Sequence, residues 1–144
     1  MKDKKFFIFA VFVFFFLTTG QALFSLQTDF YGTWTAEIEE DGDVATVTLV
    51  ISESSMIFKA KFYSGNTLID NVEEKMEILS WTDTFNTDAN TNNIFPDGVL
   101  AGVFDGEYTD SIEIFISKDK TSFIIPEMNV DDDLIIVFIK QKNS

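Results

Sequence analysis

The segment "DFYGTWTAEIEEDGD", residues 29–43, decides the fold predicted for this chain. Apolar and polar side chains alternate along it, so that Phe30, Trp34 and Ile38 fall on one face, while Thr and Glu residues fall on the other. A period of two is that of a β-strand with one buried and one solvated face. The Asp-Gly pair at 41–42 then predicts a hairpin turn. The segment therefore predicts a first strand that pairs with the strand following it.

The same alternation predicts seven further strands, at about 44–52, 56–63, 74–82, 99–104, 111–117, 122–127 and 134–140. Residues 69–80 have a spacing that a helical turn could also use, and continuation of the strand is the alternative. Eight short antiparallel strands favour closure, because closure removes exposed sheet edges. The predicted fold is all-β, an eight-stranded antiparallel up-and-down β-barrel.

The first 22 residues are typical of a secretory signal peptide, with three Lys, an apolar run from Phe6 to Leu17, and small residues at Gly20 and Ala22. Cleavage after Ala22 leaves a single barrel domain over 23–144. The apolar run is short for a membrane span, which needs about 20 residues. Extending it through Leu26 keeps an uncleaved anchor as an alternative. Export to the periplasm or the extracellular space is expected.

Charge and cysteine content narrow the possible partners. The net charge is −14, and it becomes −16 once the signal peptide removes three Lys and one Asp. Such a chain repels phosphate backbones, so nucleic acid is not an expected partner, and stable membrane insertion is not expected after cleavage. Without cysteine, the exported domain has no disulfides and cannot be a lipoprotein.

Gly32 and Trp34 in "FYGTW" form a Gly-x-Trp motif on the first predicted strand, which resembles the calycin superfamily of lipocalins, avidins and intracellular fatty-acid-binding proteins. The resemblance implies a small bacterial lipocalin-like domain. It also implies that Trp34 packs across the closed end of the barrel, and that Gly32 allows close approach of neighbouring backbone. Lipocalins usually place a late Arg over this Trp, and here Lys140 is the only cation on the last predicted strand. Trp81 is the only other Trp, so an avidin-like biotin cage is not expected.

The residues for ordinary catalysis are missing. The sequence has no His and no Cys, which excludes His general bases, thiol nucleophiles and His or thiolate metal sites. Carboxylates remain, but no spacing singles out a pair for glycoside hydrolysis. We therefore expect a protein that is not an enzyme and has no cofactor.

The longest predicted connection, Trp81 to Gly98, carries Asp88, Asn90 and Asn92 at i, i+2 and i+4, as in the first half of a calcium loop. Asn93 stands where that loop has its turn glycine, and Val99 where it has its bidentate Glu. The expectation is therefore a flexible polar loop at the barrel mouth, with no metal site. The "VDDD" at 130–133 is likewise expected to be a charged turn.

The face shared with Trp34 is predicted to point into the barrel. Its candidate ligand contacts are Phe58, Phe62, Ile78, Phe104 and Ile114. An eight-stranded barrel is either just filled by side chains or holds one small ligand. The sequence thus predicts a secreted, non-enzymatic binding protein for a small apolar molecule. The alternatives are an interaction module or inhibitor with a packed barrel, and an outer-membrane barrel, which the missing terminal aromatic girdle disfavours.

Overall fold

The computed structural model describes residues 26–129 and 135–142. The predicted signal peptide, its cleavage site and the 130–133 turn lie outside the described residues. The elements are β1 (Gly32–Glu40), β2 (Asp43–Ile51), β3 (Ser55–Ser64), β4 (Thr67–Phe85), β5 (Asp97–Phe104), β6 (Thr109–Ile116), β7 (Ser122–Ile124), the 3₁₀ helix η1 (Pro126–Met128) and β8 (Val137–Lys140). A short helical turn at 26–29 precedes β1.

The strands form a closed barrel in which each pairs antiparallel with its neighbours in sequence, and β1 pairs with β8. The predicted fold is therefore confirmed. Asp41 and Gly42 join β1 to β2 with φ values of 52° and 84°. Two successive positive φ angles are what a tight hairpin turn requires, as the Asp-Gly pair indicated.

Strand β4 is 19 residues long and includes all of residues 69–80, so the helical alternative is wrong. Residues 67–77 pair with β3, and residues 77–85 pair with β5. This stagger follows from closing a sheet of tilted strands into a barrel. As a result, Thr67–Met76 has no strand beside it on the β5 side anywhere in the described parts of the chain.

The barrel interior is filled with side chains at the end where β1 begins. The largest fully buried side chains include Trp34, Phe30, Phe123, Phe138, Leu49, Met56, Ile114 and Ile116. Burying each large apolar side chain stabilises the fold by roughly 1.5 to 3 kcal/mol. Because the chain has no disulfide, this core is the main source of its stability.

Residues 26–31 cross this end and close it. Trp34 Nε1 donates a 2.9 Å hydrogen bond to the carbonyl oxygen of Phe30. Trp81 packs on Phe30 and on Tyr31, with ring centroids 6.5 Å and 6.0 Å apart. Both tryptophans therefore lie at the closed end, as the sequence predicted for Trp34.

The last strand supplies a cation to the same end. Lys140 Nζ lies 5.4 Å from the centroid of the Trp34 ring, which is within cation–π range. Gly32 is needed for a reason other than the one expected. A Cβ at this position would meet only Lys140 Cε, at an ordinary 3.5 Å, whereas its φ of +131° is one that other residues rarely adopt. The backbone conformation, and not close approach of neighbouring backbone, requires this glycine.

Candidate functional site

The strand register shows which inward-facing side chains lie opposite one another on neighbouring strands, and the tilt of the strands displaces successive members of a row along the barrel. Across β1 to β4 the inward rows are Trp34, Leu49, Phe58, Glu74; then Ala36, Val47, Ala60, Val72; then Ile38, Ala45, Phe62, Asp70. Side chains in the first two rows are buried on β1 and β2, and those in the third row are only half-buried or exposed. In each row the β4 residue is less buried than the β1 residue. The interior therefore opens at the end of the barrel where the β1–β2 and β3–β4 hairpin turns lie, on the β4 side.

We call this opening the mouth and define it by Ile38, Ala45, Phe62, Val72 and Met76, with the carboxylates of Asp70 and Glu74. The five apolar residues point inward but remain solvent-accessible, and Phe62 is 37% exposed. Apolar side chains that face inward and stay exposed are characteristic of an open binding surface rather than of a packed core. The alanines in the adjoining rows keep the side chains around the mouth small.

A cleft of about 240 Å³ opens at the side of the mouth, where the pairing of β4 with β5 begins. Its walls are Glu74, Lys75 and Met76 from β4, together with Asp105 and Glu107 from the β5–β6 turn. It places one apolar side chain among three carboxylates and one ammonium group. The cleft therefore has the size and the charge to receive a small cationic group.

The turn carboxylate in this cleft is held in its charged form. Asp105 Oδ1 accepts hydrogen bonds from the backbone N–H groups of Tyr108, at 2.7 Å, and Glu107, at 2.8 Å. These two bonds lower the pKa of Asp105. Asp110 adds a further acid on the inward side of β6, since it pairs with inward-facing Val103. The rim of the mouth therefore repels anions.

The five predicted ligand contacts do not lie together. Phe62 lines the mouth, and Phe58 is half-buried between the mouth and the core. Ile78 and Ile114 lie within the packed core, with 7% and 0% of their surfaces exposed. Phe104 pairs with Glu77 on the outward face, so the expectation that it points inward is wrong, and Val103 fills the inward position.

Phe62 is the one mouth residue among the predicted ligand contacts. Ile38 and Ala45 were not predicted as contacts, and neither were the four mouth residues of β4, Asp70, Val72, Glu74 and Met76. These four form a recognisable pattern. They alternate through "IDNVEEKM", and that period of two was the pattern that could have identified them. The consecutive acids at 73–74 obscured it, because they also suit the first turn of a helix.

The long connection between β4 and β5 lies at the closed end, and its expected position at the mouth is wrong. It joins Phe85 to Asp97, and Asp97 pairs with Ile116 at the same end as Trp34. The loop is organised by buried Asn86, whose Nδ2 donates 2.9 Å hydrogen bonds to Thr91 Oγ1 and to the Phe95 carbonyl.

Both carboxylate oxygens of Asp88, the first of the residues considered for a cation, accept hydrogen bonds within this loop. One carboxylate oxygen of Asp88 accepts the N–H of Asn90 at 3.0 Å, and the other accepts the Thr91 hydroxyl at 3.4 Å. Over residues 26–129 and 135–142, no three or more Asp, Glu, His or Cys side chains come close enough to hold a metal ion. The loop instead covers a small second cluster of Phe95, Phe115 and Ile124 outside the barrel.

The chain matches no family model, no curated protein and no solved structure. What defines its class is therefore the fold and the mouth: a closed, antiparallel eight-stranded barrel, packed at one end and open at the other. In the described ranges there is no helix of sufficient length and hydropathy to cross a membrane.

Proposed function

We propose that this protein is an exported, non-enzymatic binding protein of the calycin type that holds a small apolar molecule in the mouth of its barrel. The observation that carries the proposal is the set of apolar side chains at the mouth that point inward yet remain accessible to solvent. A ligand chain lying across Phe62, Val72 and Met76 would remove their apolar surface from water.

The strength of such binding follows from the apolar area involved. Each buried CH₂ group contributes about 0.8 kcal/mol, so about ten fully buried groups contribute about 8 kcal/mol before the cost of association, and the expected Kd is micromolar or weaker. The ligand's polar end would lie near Asp70 and Glu74. Cationic and neutral head groups are therefore favoured over anionic ones.

Calycin membership is supported by the closed end. Trp34 closes the base of the barrel, and Lys140 lies over its ring, where the resemblance led us to look for an Arg. Lys and Arg both make cation–π contacts, so this substitution keeps the interaction and departs from the family only in the type of cation.

The orientation of the charged residues supports a barrel with a solvated outer face. Glu37, Lys59, Lys61 and Glu113 are exposed and point outward. A Lys on the lipid-facing surface of a barrel costs about 2 to 4 kcal/mol at the bilayer midplane. This cost argues against the outer-membrane alternative, and it fits an exported protein of the periplasm or the extracellular space.

Displacement of a fluorescent apolar probe by dodecylamine, dodecanol and dodecanoate tests the proposal, since the three share one chain length and differ in head-group charge. We expect dodecylamine to bind best and dodecanoate worst. Glu74→Gln should reduce the preference for the amine over the alcohol. Glu73→Gln is the matched control, because Glu73 is adjacent and exposed but faces outward.

A second pair of variants separates the mouth from the outer surface. Phe62→Ser should weaken dodecanol binding at least fivefold, whereas Tyr63→Ser, one residue along and on the opposite face, should leave it within twofold. Failure of every probe to bind, or tightest binding of dodecanoate, would overturn the proposal and favour the packed interaction module instead.

A further inference from the structure

We infer that the unpaired edge of β4, Thr67–Met76, accepts an extended basic segment of a partner protein as an added β-strand. This inference is separate from the proposed ligand, because it concerns the backbone of β4 and a macromolecular partner. We call these ten residues the β4 edge.

The β4 edge is a long open sheet edge. On one side it pairs with β3 along its whole length, and on the other it has no strand partner in the described portions of the chain. In a strand, every second residue turns its N–H and C=O away from a given neighbour, so the β4 edge presents a row of backbone groups that no strand pairs with in the described parts of the chain. Within this segment the N–H of Asn71 donates a 2.8 Å hydrogen bond to Asp70 Oδ1, which an added strand would have to replace. Ten residues extend over about 33 Å, which is enough to pair with a full strand.

A β-bulge interrupts only one end of this edge. The register between β3 and β4 shifts between Phe62 and Tyr63, which leaves Ile69 as the extra residue near the hairpin. Proteins commonly protect open edges with bulges or prolines. Residues 70–76 carry neither, so this part of the edge has regular strand geometry.

The negative charge of the β4 edge favours a basic partner strand over a second copy of this chain. Asp70, Glu73 and Glu74 outnumber the single Lys75. In an antiparallel pair with a second copy centred on Val72, each Asp70 would face the Glu74 of the other copy, and like charges directly opposite each other are destabilising. A partner strand with Lys or Arg on its outer face, beside Glu73, makes a favourable cross-strand pair instead.

The two faces of β4 refine this choice. On the mouth side, an added strand would lie beside Val72 and Met76, and on the outer side it would lie beside Glu73. A segment that alternates basic and apolar residues can place its basic side chains on the outer side, beside Glu73, and its apolar side chains on the mouth side, beside Val72 and Met76. The cleft formed with Asp105 and Glu107 lies at the end of this edge and can receive one basic side chain.

The test uses an eight-residue peptide of alternating Lys and Val, blocked at both ends and labelled with a fluorophore. We expect saturable binding in fluorescence anisotropy. In the complex, hydrogen exchange should slow at least tenfold at alternate amides of 67–76. It should not slow at Ala36–Glu40 of β1, which has no strand partner on the β8 side within residues 26–129 and 135–142. A peptide of equal charge, with Pro in place of Val, lacks half of the N–H donors and should bind at least tenfold more weakly.

Protein variants separate strand addition from general charge attraction. Glu73→Lys should weaken the Lys-Val peptide at least threefold and leave dodecylamine binding within twofold. Glu37→Lys makes the same change of charge on the outward face of β1 and should leave the peptide within twofold. The inference would be overturned if the Pro peptide bound as tightly as the Lys-Val peptide, or if Glu37→Lys weakened peptide binding as much as Glu73→Lys. It would also be overturned if hydrogen exchange slowed in β1 or in no strand, or if the protein self-associated through the β4 edge.

Discussion

Replacement of Trp34 by Ala tests whether the closed end stabilises the barrel as the structure indicates. The side chain is completely buried, and truncating a buried Trp to Ala costs about 3 to 5 kcal/mol. The Phe30 carbonyl also loses its donor, which adds about 1 kcal/mol. The contact with Lys140 contributes about 0.5 to 1 kcal/mol. We therefore expect a loss at the upper end of the range, about 5 kcal/mol.

Urea denaturation measures this loss, followed by far-UV circular dichroism and by the fluorescence of Trp81, which every variant retains. Domains are stable by about 5 to 15 kcal/mol, so a loss of this size removes much or all of the stability of a typical domain, and two milder variants are measured beside Trp34→Ala. Trp34→Phe keeps a ring but removes the hydrogen bond, and it should cost about 2 kcal/mol. Lys140→Met should cost about 0.5 to 1 kcal/mol and isolates the cation–π contact. A loss below about 1 kcal/mol for Trp34→Ala would refute the role of this residue in closing the barrel.

Three further predictions concern other parts of the molecule. Gly98→Ala should destabilise the barrel by about 1 to 3 kcal/mol in urea denaturation, because a Cβ there would overlap the Ile114 carbonyl oxygen and the Phe115 ring. Gly102→Ala should cost less than half as much, because its Cβ would overlap only the Ser80 hydroxyl, which can move away by rotation about one side-chain bond. Equal losses for the two variants would contradict this reasoning. Burial raises the pKa of Asp83, so its contribution favours the folded state at low pH and is lost as pH rises through the raised folded pKa. Asp83→Asn should therefore increase stability at pH 7, with no gain below the ordinary pKa of 3.8, and an unchanged difference across this range would argue against burial as the cause. N-terminal sequencing of exported protein should begin at Leu23, whereas a membrane-bound form that retains Met1 would replace cleavage by anchoring.

The number and order of the strands could be predicted because each relies on local alternation. Trp34, Leu49 and Val99 belong to regular runs in which every second residue is apolar, and all three are buried. The Asp-Gly turn is equally local. These features depend on a period of two and on turn chemistry, which neighbouring residues determine.

Strand lengths and the composition of the mouth depend on the closed barrel and could not be predicted in this way. The 19 residues of β4 follow from the stagger between β3 and β5, which no local pattern encodes. Phe104 was assigned by its hydrophobicity, although Val99, Ala101 and Val103 already occupied the inward face of its strand. Pro126 begins η1, so β7 ends at Ile124 rather than at 127.

In the loop at 86–96, the pairing of polar residues also could not be predicted from local sequence patterns. Its Asp and Asn spacing resembled part of a cation site, but buried Asn86 makes hydrogen bonds nine and ten positions away, with the carbonyl oxygens of Phe95 and Pro96. Those contacts depend on how the loop folds back against the outside of the barrel. The sequence shows which donors and acceptors are available, and only the structure shows which of them pair.

Intermolecular nuclear Overhauser effects between dodecylamine and isotope-labelled protein test the central claim most directly, since they locate an apolar ligand relative to individual methyl groups. We predict contacts from the alkyl chain to the methyl groups of Val72 and Met76 and to the ring of Phe62, with none to Ile114 in the packed core. Contacts confined to Ile78 and Ile114, or to the outward-facing Phe104, would contradict binding at the mouth, as would the absence of any contact at saturating amine.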